Sequence, residues 1–258
     1  MGIKNLNKFM GKPIEGSLEK VLERNKNPNS SEPKVPQNTN LGFQSDQDFW
    51  TVDSVSYNGD LYKVDLSKKL LDDEKSHTQD EWAQFSKTAK QNGDFYVGDF
   101  PLYHSLFTAL YDLRDSQRKN EIENVRGFLE KQFMNYWLMT LTRIKYSKKG
   151  KDTVVHNHGM SDQYEIREEF VGQDEWVENA TIIEPYKALL GEDDLPKINS
   201  VYQWLTGKKP YLYRVNSKPD KDIETVAWFG AGSDWAVLDC NGYPSYSYHA
   251  LGVRAQKI

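Results

Sequence analysis

The stretch that most constrains this chain is its C-terminal run from Val226 to Ile258, VAWFGAGSDWAVLDCNGYPSYSYHALGVRAQKI. Between Phe229 and Ala250 it holds no Lys, Arg, Glu, Gln or Met, in a protein that is 28% charged. Gly230, Gly232, Gly242 and Pro244 rule out a helix and weaken a central strand, so loop and short irregular strand are expected over most of the window. A segment of this kind cannot stiffen itself. Trp228, Trp235, Leu238 and the Leu251–Val253 pair are the candidate anchors to a framework built elsewhere. What remains is Tyr, Ser, Gly, Ala, Asp, Asn and His, a composition that suits a contact surface. Tyr gives large amphipathic area on two torsions, and Ser, Gly and Asn give adaptable hydrogen bonding at low entropic cost.

Three short patterns lie in this run: Gly232-Ser233-x-Trp235, Leu238-x-Cys240 followed by Pro244, and Leu251-Gly252-Val253-Arg254. With them the run resembles the variable region of target proteins of diversity-generating retroelements, whose C-type-lectin-type fold is related to the formylglycine-generating-enzyme group. The resemblance is carried by the C-terminal stretch and, in part, by Gly93–Leu113. It implies an α+β fold of small twisted antiparallel sheets with two main helices and a surface variable region at about 226–254. In that family a reverse transcriptase randomises template adenines, which yields an amino-acid alphabet without Lys, Glu, Gln, Met or Trp. Between Phe229 and Ala250 only Trp235 departs from that alphabet, which marks it as an invariant framework position.

The resemblance further implies a display protein whose hypervariable face binds a variable ligand, a protein on another cell or virus surface. The contact residues it implies are Phe229, Ala231, Asp234, Ala236, Asp239, Asn241, Tyr243, Ser245, Tyr246, Tyr248 and His249, with Trp235, Leu238, Cys240, Pro244, Gly252 and Arg254 as framework. Neither a metal nor a cofactor is expected. Catalysis is not expected either: the catalytic relatives use a pair of active-site cysteines, and Cys240 is the only cysteine in the chain.

A length of 258 residues suits one large domain with a tail. Seven Trp, fifteen Tyr and eleven Phe can build a core rich in amphipathic aromatics. A net charge of −5 argues against nucleic acid, which calls for a clustered basic face. No apolar run approaches the roughly 20 residues of a membrane-spanning helix. The opening MGIKNLNKFM lacks a signal-peptide core, and Leu6 occupies the place where a myristoylation motif has Ser or Thr. One cysteine forms no internal disulfide, so packing alone must hold the fold. A monomer is expected.

Residues 1–45 read as a flexible tail: one or two amphipathic turns at Ile14–Leu22, then an Asn, Pro, Ser and Lys-rich extended segment over Asn25–Asn40. The ligand-binding domain is expected over 46–258. Asp48–Tyr57 and Leu61–Val64 read as strands joined by an Asn58-Gly59 type I′ turn. Thr78–Ser86 has the acidic first turn of a short helix. Asp94–Pro101 reads as a strand and turn. Apolar spacing predicts helices from about Leu102 to Ser116 and from Glu121 to about Leu141. His104 falls beside the first apolar stripe, as a buried, hydrogen-bonded histidine. Arg143–Lys151 reads as a solvated basic loop. Tyr164–Val171 and Tyr211–Val215 read as strands, Ile198–Gly207 as a short helix, and Gly252–Gln256 as the last strand.

No phosphate loop, dinucleotide fingerprint, nucleophile elbow or His-Glu-x-x-His helix is present. A rival function, a metal-dependent sugar binder or an enzyme sharing the fold, rests on His156 and His158, whose spacing places both imidazoles on one strand face, and on the acidic segments Gln173–Asn179 and Glu192–Asp194, which offer oxygen ligands to calcium.

Overall fold

In the computed structural model, which describes residues 41–258 together with Lys8–Phe9 and Lys12–Pro13, Asn58 and Gly59 both take positive φ, 51° and 80°. That is the two-residue turn whose twist matches the flanking strands. It joins β4 (Phe49–Tyr57) to β5 (Asp60–Leu70). β3 (Phe43–Ser45) pairs with β4, and the C-terminal β13 (Leu251–Lys257) pairs with β5, giving an antiparallel sheet in the order β13-β5-β4-β3. The ordered domain therefore includes residues 43–45, ahead of the expected start, because buried Phe43 ties them to the core. The chain divides at Thr39 and Asn40 into two units. In the first, β1 (Lys8–Phe9) pairs with β2 (Lys12–Pro13); the expected features at Ile14–Leu22 and Asn25–Asn40 lie outside the described residues.

Among the described residues there are five α-helices rather than two main ones: α1 (Gln79–Asn92), α2 (Phe100–Leu113), α3 (Lys119–Asn135), α4 (Glu184–Leu190) and α5 (Leu195–Thr206). Their ends are set by local chemistry. Thr78 and Glu81 form a reciprocal capping box on α1, and Gly93 ends it at φ 76°. Asp99 caps α2 ahead of Pro101, and Asp194 caps α5 ahead of Pro196.

The second sheet is larger than expected and mixed. It comprises β6 (Leu138–Tyr146), β7 (Asp152–His156), β8 (Tyr164–Glu168), β9 (Glu175–Trp176), β10 (Lys209–Tyr213), β11 (Ile223–Ala231) and β12 (Trp235–Gly242), in the order β8-β7-β6-β11-β12-β10-β9. All pairs are antiparallel except β10 with β12. Two expectations fail here for one reason. The helix extended to Leu141 stops at Asn135, and the first part of the supposed basic loop, Arg143–Tyr146, is the end of strand β6, which is largely buried between β7 and β11. Arg143 is drawn in with it and is satisfied by Gln79 Oε1 at 2.8 Å, Asp80 at 2.7 Å and Glu224 at 3.3 Å. Only Lys148–Lys151 stay exposed. Asp94–Pro101 is not a strand either: its strand-like pairing is one bridge, Tyr96 to Val253, and bonds such as Leu141 N–H to Gly98 O at 2.9 Å hold the rest.

Phe229 is the hub of the core. Its ring stacks on Phe133 at 5.0 Å and meets Phe100, Tyr103 and Phe107 edge-on at 5.1, 5.3 and 5.7 Å. Helices α2 and α3 are thereby fixed to the inner face of the large sheet through one side chain of β11. Among the described residues no helix is long and apolar enough to cross a membrane.

Candidate functional site

β12 alternates. Ala236, Leu238 and Cys240 point into the core with no exposure, while Trp235, Val237, Asp239 and Asn241 alternate with them on the opposite face. Register extends that outer face sideways. On β11, Trp228 is the partner of Asp239; on β10, Tyr211 and Tyr213 are the partners of Val237 and Asp239; on β9, Trp176 is the partner of Tyr211. Tyr211 stands 4.9 Å from Trp176 and 4.8 Å from Tyr213 between ring centroids. Trp228 and Val237 belong to a second buried cluster that includes Trp82 and Ala83 of α1, and Tyr213 and Trp235 pack at its margin.

After Gly242 the chain turns back. Tyr243 and Tyr246 form the turn, with the Tyr246 N–H donating to Tyr243 O at 3.0 Å, and their rings lie 5.2 Å apart at 63% and 55% exposure. Tyr248 is then pinned from three sides: its N–H and C=O pair with His77, and Trp82 Nε1 donates to its carbonyl at 2.8 Å. Its ring stacks on Trp228 at 5.9 Å, and Trp228 stacks on Trp137 at 5.1 Å. Trp137 tops this pile, 57% exposed. Two glycines make the pile possible. A Cβ on Gly242 would lie 2.8 Å from the Trp228 indole, and one on Gly230 would lie 3.3 Å from Trp137 Cδ1. Beside the pile an open groove of about 290 Å³ runs between Phe133–Trp137, Ala231 and Ser247–His249, with the His249 ring 4.3 Å from Tyr136.

The expected contact residues therefore separate. Asp234, Asn241, Tyr243, Ser245 and Tyr246 are exposed, and Ala231, Asp239 and His249 are partly so. Phe229 and Ala236 are corrected: strand alternation turns both into the core, where neither can meet a ligand. Tyr248, at 6% exposure, serves as packing beneath the surface. Of the framework positions, Leu238 and Cys240 are core, and burial pushes the Cys240 thiol well above its usual range. Gly252 lets β13 pass Leu71 and Phe95. Arg254 grips Asp65 through Nε and Nη2 at 2.9 and 2.7 Å. Trp235 and Pro244 are half-buried.

Trp137, Tyr136, Trp176, Tyr211 and Tyr213 join this face from elsewhere in the chain. The alternation of Pro210 and Leu212 with Tyr211 and Tyr213 was a usable signal for the last two; nothing local marks Trp137 as a neighbour of Trp228.

Burial raises the Asp239 carboxyl to about 6, with a further push from the Asp174 carboxylate; the Asn241 N–H, 2.7 Å from Oδ1, acts the other way. Burial raises the Tyr248 phenol to about 12, helped by Asp239.

The residues of the rival function are otherwise engaged. His156 lies between Thr142 Oγ1 at 3.0 Å and Ala188 O at 2.8 Å, whereas His158 meets Asp80 at 3.0 Å. Glu175 holds Arg214, Asp193 meets Lys187, Asp194 caps α5, and Glu192 accepts from the N–H groups of Asp193 and Asp194. Among the described residues no three His, Cys, Asp or Glu converge as a metal site would require. His104 is buried but, contrary to expectation, neither ring nitrogen has a hydrogen-bond partner; the ring stacks on Tyr202 at 5.7 Å.

Fold and face together define an α+β protein with an aromatic, largely uncharged surface on one side of a mixed sheet. Comparison with family models, curated proteins and solved structures returned no match to this chain.

Proposed function

We propose that this protein is a ligand-binding display protein of the C-type-lectin-type class diversified by retroelements, and that its C-terminal face recognises a protein partner on another cell or virus surface. One observation carries the reading: the most exposed aromatic side chains of the C-terminal run, Tyr243 and Tyr246, stand on a support whose own members are packed and hydrogen-bonded. Such a division lets surface residues change without loss of the fold. Exposed aromatic anchors flanked by small polar residues match what dominates binding energy at protein interfaces. The protein acts by binding, not by catalysis, and its buried cysteine has no second thiol to work with.

The test is a panel of variants randomised at Asp234, Asn241, Tyr243, Ser245 and Tyr246. Most members keep a melting temperature close to that of the parent, whereas a matched panel at Phe229, Ala236 and Tyr248 mostly fails to fold. Broad destabilisation in the first panel would sink the reading. The gene supplies an independent check: a near-copy of the Val226–Arg254 coding segment beside a reverse-transcriptase gene, differing at adenines.

A further inference from the structure

Asp239 is the one acidic side chain in the middle of this aromatic face. It is the register partner of Trp228 on one side and of Tyr213 on the other, and partners across a sheet share a face. The Tyr248 and Tyr213 phenols both feel its charge. Its hydrogen bond is to a neutral backbone N–H, that of Asn241. The neighbouring charge that acts on it is a second carboxylate, Asp174. Half-buried carboxylates are ordinarily paired with a cation, and leaving one unpaired carries a desolvation cost. No Lys or Arg occurs between Phe229 and Ala250 to supply that cation.

We propose that Asp239 and the half-buried ring of Tyr213 beside it form a socket for an arginine side chain of the protein partner, with the buried Trp228 and Tyr248 rings as its floor. The inference rests on the binding function proposed above and names the chemistry of its centre. A guanidinium is planar, stacks on aromatic faces and presents paired N–H donors to a carboxylate. It is also less strongly hydrated than the lysine ammonium, so a half-buried aromatic site favours it. Asp174 adds to the negative potential, and Asn241 holds one Asp239 oxygen in place.

The test titrates the full chain, at low ionic strength and pH 7.5, with N-acetyl-arginine amide and with its neutral isostere N-acetyl-citrulline amide, followed by tryptophan fluorescence. The arginine probe gives a saturable change, and citrulline binds at least roughly tenfold more weakly. Asp239→Asn removes this preference while retaining the parent's near-ultraviolet circular dichroism. A second measurement needs no variant: carboxyl NMR shows the Asp239 titration moving down from about 6 as arginine is added and staying put with citrulline. Equal response to both probes, or an unmoved titration, overturns the proposal. If that happens while the randomised surface panel still folds, only the cationic ligand is lost and the display function stands.

Discussion

Tyr243 and Tyr248 lie on one short return of the chain and have opposite fates. Tyr243 shares a ring contact only with equally exposed Tyr246, whereas Tyr248 lies against Trp228 with its backbone bonded to His77 and Trp82. Replacing Tyr243 and Tyr246 together by Ala is therefore expected to shift stability by no more than about 0.5 kcal/mol, the usual range for surface changes. Tyr248→Ala opens a hole under Trp137 and Trp228 and is expected to cost roughly 2–4 kcal/mol. Urea unfolding of the two variants checks both values, and a large loss in the double variant would remove the idea of a tolerant surface. Composition alone treats these tyrosines alike. Only their strand partners, residues far away in sequence, separate contact from support.

At the scale of elements, the C-terminal run is less loop than its glycines suggest. Much of it is β11 and β12, and the glycines serve as clearances for indole rings. Gly242→Ala places a methyl against Trp228 and is expected to cost about 1–3 kcal/mol, with a shifted tryptophan emission as the pile spreads. An unchanged spectrum and melting curve would show that the fit is loose. The hairpin at Asn58-Gly59 and helices α1, α2 and α5 were readable because turn residues, caps and helical spacing are local signals. β6 was not. Leu138–Tyr146 mixes apolar residues with Thr140, Thr142 and two basic residues and has no Gly or Pro, and a strand covered on both faces lacks the alternation that would distinguish it from the end of a helix. Phe229 and Ala236 were misread for a related reason. The surface-like composition of the run masked a period-two pattern that sends every other residue inward, so the window was legible as a face only in its exposed half.

For the molecule as a whole, acid should be the vulnerable side. Burial holds His104, His156 and His158 below the usual histidine range of 6.5, His104 down to about 3 with a lesser push from Lys197. The unfolded chain takes up these protons near pH 6.5 and the folded chain does not, so stability is fullest above that pH and falls below it. Asp239 works in the opposite sense, because its neutral form is favoured on folding and relieves a cost as pH drops through about 6. The fully buried Asp99, raised by the same cause, acts with Asp239; three histidines still outnumber the two carboxyls, and a net loss of stability between pH 7 and pH 5 is expected. His104→Phe keeps the stack on Tyr202 and removes about 1.4 kcal/mol per pH unit from that slope. Chemical denaturation across this range measures it; an identical slope in the variant would show that His104 titrates as freely in the fold as out of it. The placement of β12 has a consequence for biosynthesis. This strand lies between β11 and β10, both of which leave the ribosome before it. Until it arrives, the nascent chain carries two raw edges and a severed sheet, so a stop codon anywhere before residue 235 should yield inclusion bodies instead of a shortened soluble product.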